Sequence, residues 1–311
     1  MRAKMLEKRL AHCDICPRNC GINRMKDETG FCNSGYLPAV SSVCDHHGEE
    51  PALSGTCGSG TIFFGNCNMR CCYCQNHRIS QNPEEQKGNE ISCETLAEKM
   101  LYLQNELHCH NINLVSPTHF VPQIVKALLI AVPLGLHLPL VYNTGGYDSP
   151  ATIRSLDGII DIYLADLRYA SDESATKYSE APAYVTHARR AIKEMWRQTG
   201  ELVTDESDIA QKGLIVRLLV LPNEIAGSRE SLIWLANEIS PRVTVSVMSQ
   251  YSPQHRAVQI PELARTIFYG EYASVLELME KLGIENGWVQ EMGSPENYLP
   301  DFARERHPFE T

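Results

Sequence analysis

Residues 58–80 read GSGTIFFGNCNMRCCYCQNHRIS, and the order of their two halves decides the fold. Thr61 to Gly65 is a short β-branched and aromatic run bounded by glycine, the pattern of a buried strand. Directly after it comes Gly65-Asn66-Cys67-Asn68-Met69-Arg70-Cys71-Cys72-Tyr73-Cys74, a loop that carries CxxxCxxC. A strand ending in a ligand-bearing loop reads as the start of a βα unit, because parallel α/β sheets place their sites at the carboxyl ends of strands.

Downstream, the same alternation recurs. Further strands are expected at Ile112 to Val115, Pro139 to Tyr142, Ile159 to Ala165, Leu214 to Leu221 and Val243 to Met248. Helices are expected at Cys93 to Leu107, Val121 to Val132, Pro150 to Leu156, Pro182 to Gln198, Ser228 to Ile239 and Glu271 to Leu282. Six βα units are too few for the eight of a closed barrel, so the expected fold is α/β, a partial (β/α)6 TIM-like barrel. Polar residues follow the strands: Ser116-Pro117-Thr118-His119, Asn143-Thr144-Gly145-Gly146, Asp166-Leu167-Arg168, Pro222-Asn223-Glu224 and Ser249-Gln250-Tyr251. Upstream, residues 1–60 are rich in Cys, Gly and turn formers and read as a small Cys-rich module, with residues 61–311 as core domain and C-terminal extension.

Ten of the twelve cysteines precede residue 75, the others being Cys93 and Cys109, which places metal chemistry at the front of the chain. Three thiolates in one loop can hold three irons of a cubane and leave the fourth open, whereas a purely structural cluster takes four. Cys71 and Cys72 are adjacent and project differently from the backbone, so a four-thiolate zinc ion built from this loop is disfavoured and Cys72 is read as a spectator.

On these residues, together with NLVSPTHF, YNTGGYDS, DIYLADLRY, VRLLVLPN and VMSQYSP, the chain from Gly60 onward resembles the radical S-adenosylmethionine superfamily, and in it the uncharacterised homologues of pyruvate formate-lyase activating enzyme. The resemblance implies a 4Fe-4S cluster on Cys67, Cys71 and Cys74, with S-adenosylmethionine on the open iron. It also implies an oxidoreductase that makes a 5′-deoxyadenosyl radical for hydrogen abstraction. Implied partners are an electron donor such as flavodoxin or ferredoxin and a protein substrate, as when the activating enzymes act on a glycyl-radical partner. Radical modification of a peptide or small metabolite is the alternative. A non-catalytic iron-sulfur or zinc-binding protein is the alternative of another class.

Residue by residue, Tyr73 resembles the aromatic beside the adenine, and Asn143 falls among the cofactor-binding candidates. Ser116, Pro117 and Thr118 stand where the superfamily often has Gly-Gly-Glu, leaving the Ser116 or Thr118 hydroxyl or backbone carbonyls to meet the methionine ammonium. Asp166 and Arg168 resemble an Asp-x-Lys pair, and Arg168 is read as a positioning group because guanidinium does not give up its proton easily.

Cys13, Cys16, Cys20 and Cys32 suffice for a second closed site, either zinc or a second 4Fe-4S cluster, since both accept four thiolates. Cys44 or Cys57 could replace one ligand, and Cys93 and Cys109 fit buried helical positions. His46 and His47 read as a solvated or hydrogen-bonded turn, and HGEEPALSG resembles a segment that precedes the cluster loop in this family, which implies that it lines the site.

The net charge of -10 and a sequence pI near 5.6 disfavour nucleic acid or an anionic membrane as partner. The first twenty residues contain no uninterrupted apolar stretch, and Ile124 to Val141 is broken by Lys126, Pro133, Gly135, His137 and Pro139. A cytoplasmic protein is expected. No Walker loop or GxGxxG fingerprint is present.

Overall fold

In the computed structural model, residues 1–293, 300–302, 304 and 307–309 are described. Nine strands form among them: β1 (Val40–His46), β2 (Ser59–Phe64), β3 (Ile112–Val115), β4 (Leu140–Thr144), β5 (Ile162–Asp166), β6 (Val203–Thr204), β7 (Ala210–Leu219), β8 (Thr244–Met248) and β9 (Gly287–Val289). Their order in the sheet is β1-β2-β3-β4-β5-β7-β8-β9, with β6 paired to β7. From β2 to β9 all neighbours on this path run parallel, while β1 joins β2 antiparallel. Helices Cys93–Asn105, Val121–Ala131, Pro150–Arg154, Tyr184–Thr199, Ser228–Glu238 and Tyr269–Lys281 follow β2, β3, β4, β5, β7 and β8. The six βα units are therefore present, and the sheet path ends at β1 and β9 without closing: a partial barrel.

Side chains alternate across each strand, and this builds the interior in layers. Outward, Tyr142 and Tyr163 join the main core beneath the helices. Inward, Val141, Ile162, Leu164 and Ile215 pack with Ala52 and Leu53 of the turn Pro51–Ser54, an apolar plug at the base. Two residues further along each strand the inward positions turn polar, giving Asn143, Asp166, Arg217 and Ser246, all buried or nearly so. Register sets Asp166 beside Arg217 and Arg217 beside Ser246.

Several elements escape the sequence reading, among them β6 and the short helices Pro51–Ser54, His77–Ser80 and Pro83–Gln86. β1 lies within residues 1–60 because Ser41, Ser42 and Asp45 hide its period. A separate helix, Asp172–Ser179, precedes the one expected from Pro182, which starts at Tyr184 instead. β9 is only three residues long. The helix expected at Pro150 to Leu156 ends at Arg154. At the front, Leu6 and Leu10 belong to the same apolar core as the barrel helices. Among the described residues, no helix is long and apolar enough to cross a membrane.

Candidate active site

The cysteine loop begins where Asn66 takes a left-handed backbone (φ 65°) just past β2. Segments distant in the chain then pin it. Arg70 N–H donates to Ser179 O (3.0 Å) and Cys72 N–H to Tyr178 O (2.8 Å), while Cys72 O accepts from Ala257 N–H (2.9 Å). The Arg70 side chain donates to Cys67 O (2.8 Å) and Met69 O (3.0 Å), and Gln81 Nε2 donates to Cys71 O (2.9 Å).

Cys67, Cys71 and Cys74 line one cavity of about 800 Å³ at the carboxyl ends of the strands. Cys72 is not in its wall. The Met69 N–H points at Cys67 Sγ (3.4 Å), a donor suited to a thiolate or cluster sulfur, and Cys74 Sγ lies 3.3 Å from Ser80 Oγ. Burial pushes the Cys67 thiol up to about 12 and raises Cys74, so these sulfurs are protonated until a cation takes the proton's place. Tyr73 is buried beside them, edge-on to Tyr169 and Tyr251 at 6.5 and 6.0 Å between ring centroids.

The rest of the wall is the polar layer of the barrel. Asp166 accepts from Arg168 on one oxygen and from Arg217 Nε on the other (2.7 Å). Arg217 continues to Asn143 Oδ1 (2.7 Å) and reaches Glu49 at 3.4 Å, while Asn113 donates to Glu49 (3.0 Å). Burial opposes charge on Arg168 and Arg217, yet the Asp166 carboxylate keeps both guanidiniums charged. Burial also works against the Glu49 carboxylate, but His46 and Arg217 hold it below the usual range. Burial pushes neighbouring Glu50 upward, and its Oε2 has no hydrogen-bond partner. Glu50 thus brings a buried, unpartnered carboxyl oxygen to the cavity wall.

Ser116 and Thr118 both line the cavity. Ser116 does so with φ 58°, a conformation that is costly for a residue with a side chain. The Thr118 hydroxyl donates to Asp148 (2.8 Å), which also accepts from Thr144 (2.6 Å) and Tyr142 (2.8 Å). Thr118 therefore offers the cavity a lone pair and not its proton. Burial raises the Asp148 carboxyl.

The sequence reading missed Glu49, Glu50, Asp148 and Arg217 as individual residues. Signals existed: HGEEPALSG, YNTGGYDS and VRLLVLPN contain them. His46 ends β1 and stacks on Phe309 (4.0 Å), and only His47 is exposed, facing Asp45. Phe302 packs edge-on to Phe63 (5.3 Å), and Pro300 and Phe309 reach the cavity wall.

Cys13, Cys16, Cys20 and Cys32 line a second, small cavity. Cys44 and Cys57 do not: Cys44 is buried on β1 and Cys57 is exposed. Cys93 starts a helix and Cys109 lies in the core. Among the described residues, no three His, Cys, Asp or Glu side chains converge as ligands of one metal ion.

No family model matches the chain. Two proteins of Methanocaldococcus jannaschii align along most of it. Uncharacterized protein MJ0674 is 27% identical over 303 residues, covering 92% of this chain and 79% of the relative. Uncharacterized protein MJ0808 is 24% identical over 313 residues, covering 92% and 83%. Among solved structures, HydG, a maturase of the FeFe-hydrogenase, overlaps 72% of this chain and 49% of its own at 12% identity and TM-score 0.47. Methylornithine synthase PylB overlaps 75% and 71% at 16% identity and TM-score 0.45. Streptococcus suis SuiB bound to precursor peptide SuiA overlaps 73% and 47% at 11% identity and TM-score 0.48. The chain spans about half the length of HydG and SuiB.

Proposed function

We propose that this chain is a radical S-adenosylmethionine enzyme that abstracts hydrogen from a substrate held in the 800 Å³ cavity. One observation carries the reading: of four cysteines in eight residues, the three spaced CxxxCxxC share the cavity wall and the fourth does not. A three-thiolate donor set suits a cubane with one open iron and suits a closed zinc site poorly. When bound there, a 4Fe-4S cluster with S-adenosylmethionine supplies a 5′-deoxyadenosyl radical, and the protein's share is positioning and exclusion of water.

Cys67, Cys71 and Cys74 would hold the iron, with Met69 N–H donating to the sulfur of Cys67. Tyr73 and the Thr118 hydroxyl lone pair would border S-adenosylmethionine in this cavity, with Ser116 presenting backbone in a strained turn. Arg168, fixed by Asp166, is the cation available to a carboxylate. Asn143 is held by Arg217 and serves the wall's shape. Glu49 and Glu50 form the part of the wall contributed by the segment between β1 and β2, suited to hydrogen-bonding a substrate.

The test is anaerobic reconstitution with iron and sulfide, followed by dithionite and S-adenosylmethionine, with chromatographic detection of 5′-deoxyadenosine. Wild type should form it and the C67A/C71A/C74A variant should not. A fully loaded wild type that yields none would overturn the assignment.

A further inference from the structure

The front of the chain wraps four thiols in tight turns. Cys13 N–H donates to Ile22 O (2.9 Å) and Gly21 N–H returns to Cys13 O (3.0 Å), closing the Cys13 to Ile22 loop on itself. Asn19, Gly21 and Asn33 take left-handed backbone conformations that turn the chain inward. At Gly30 a Cβ atom would stand 2.8 Å from Cys20 Sγ, so only glycine lets that sulfur approach. Cys13, Cys16 and Cys32 are each more than nine-tenths buried, and with Cys20 they line one cavity.

The same wall contains Arg24, 1% exposed. Its Nε donates to Gly35 O (2.9 Å) and its Nη1 to His119 O (2.6 Å), but Nη2 has no partner. A buried guanidinium with a free donor is costly unless an anion faces it. Arg18 adds a second, half-buried cation: its Nε donates to Asn68 O (2.9 Å) and its guanidinium sits 3.4 Å from the Phe31 ring centroid. Four cysteines beside two guanidiniums describe a pocket for an anionic, thiolate-ligated group. A zinc ion brings no hydrogen-bond acceptor of its own, so the unpartnered Arg24 Nη2 favours a group that carries acceptor sulfur.

We propose that Cys13, Cys16, Cys20 and Cys32 ligate a second 4Fe-4S cluster, with Arg24 as the cation that offsets its charge and donates to its sulfur. This site does not depend on the reading of the larger cavity, and the two are separable by experiment.

The full-length C67A/C71A/C74A variant is reconstituted anaerobically, then assayed for iron, acid-labile sulfide and zinc. The expected result is about four irons and four sulfides per chain, with an absorption band bleached by dithionite and a reduced-state EPR signal. Zinc at one per chain without iron, or neither metal, overturns the proposal. The complementary C13A/C16A variant should keep only the iron of the larger cavity. If it holds none while the triple variant is loaded, the radical assignment fails and this one stands. Because cysteine removal can unfold the front, Arg24→Gln supplies an independent reading. It should retain iron but show a lower reduction potential by EPR titration, and an unchanged potential would refute the role of Arg24.

Discussion

Asp166 is the residue on which the cavity's electrostatics turn, since two part-buried guanidiniums share its buried carboxylate. Removing one partner of a buried ion pair leaves the other charge uncompensated, at a cost of about 3–5 kcal/mol. Asp166→Ala should therefore lose stability of that order in urea titration, far more than an exposed substitution. Gly146 is the second sensitive point. It has φ 79°, and a Cβ there would lie 2.3 Å from Asp166 O, a backbone atom that cannot step aside. Gly146→Ala should cost more than the roughly 1 kcal/mol of an ordinary glycine replacement, and it should displace Asp166 from Arg217. That Cys67, Cys71 and Cys74 share one wall is foreshadowed by their spacing, because residues of one short loop stay close together. Glu49 and Arg217 were not legible, because 168 residues separate them and only the strand register brings them together.

At the scale of elements, the helix Tyr269–Lys281 shows how a cap can be set by distant chain. Glu271 accepts from Phe268 N–H (2.7 Å) and Asn223 N–H (2.6 Å), and both its oxygens face Arg265 at 2.8 Å. The Arg265 guanidinium, ahead of these amides, holds the Glu271 carboxyl down to about 2. A depressed carboxyl contributes stability in full above its ordinary value of 4.5, and that contribution is lost as pH falls toward about 2. Glu271→Gln should cost about 1 kcal/mol near neutral pH. The gap from wild type should shrink by pH 3 in denaturant titrations, whereas a pH-independent gap would disprove the ionic contribution. The long parallel strands were readable as apolar runs because burial on both faces removes alternation. β1 was not, because Ser41, Ser42 and Asp45 interrupt its apolar run.

For the molecule as a whole, the sheet among the described residues ends without closing, and the rings of Phe302, His307 and Phe309 lean on its first strands. Phe302 packs on Phe63, Phe309 on His46, and His307 Nε2 lies 3.0 Å from Asp45 O. A chain ending at Gly293 should leave Phe63 and the cavity mouth more open. In protein reconstituted with iron and sulfide, the iron should then pass to a chelator faster than from the full chain, as followed by the loss of visible absorption. Equal rates would show that this segment shields nothing.

The two carboxylates Glu49 and Glu50 enter the barrel from the connection between β1 and β2, upstream of every βα unit. A transplant of those six units alone would carry the three loop thiols, Asp166 and Arg217, yet arrive with one wall missing and Arg217 short of an acceptor. The smallest piece able to shape this cavity is thus longer than the barrel, and recombination with related chains would have to cut before β1 to preserve it.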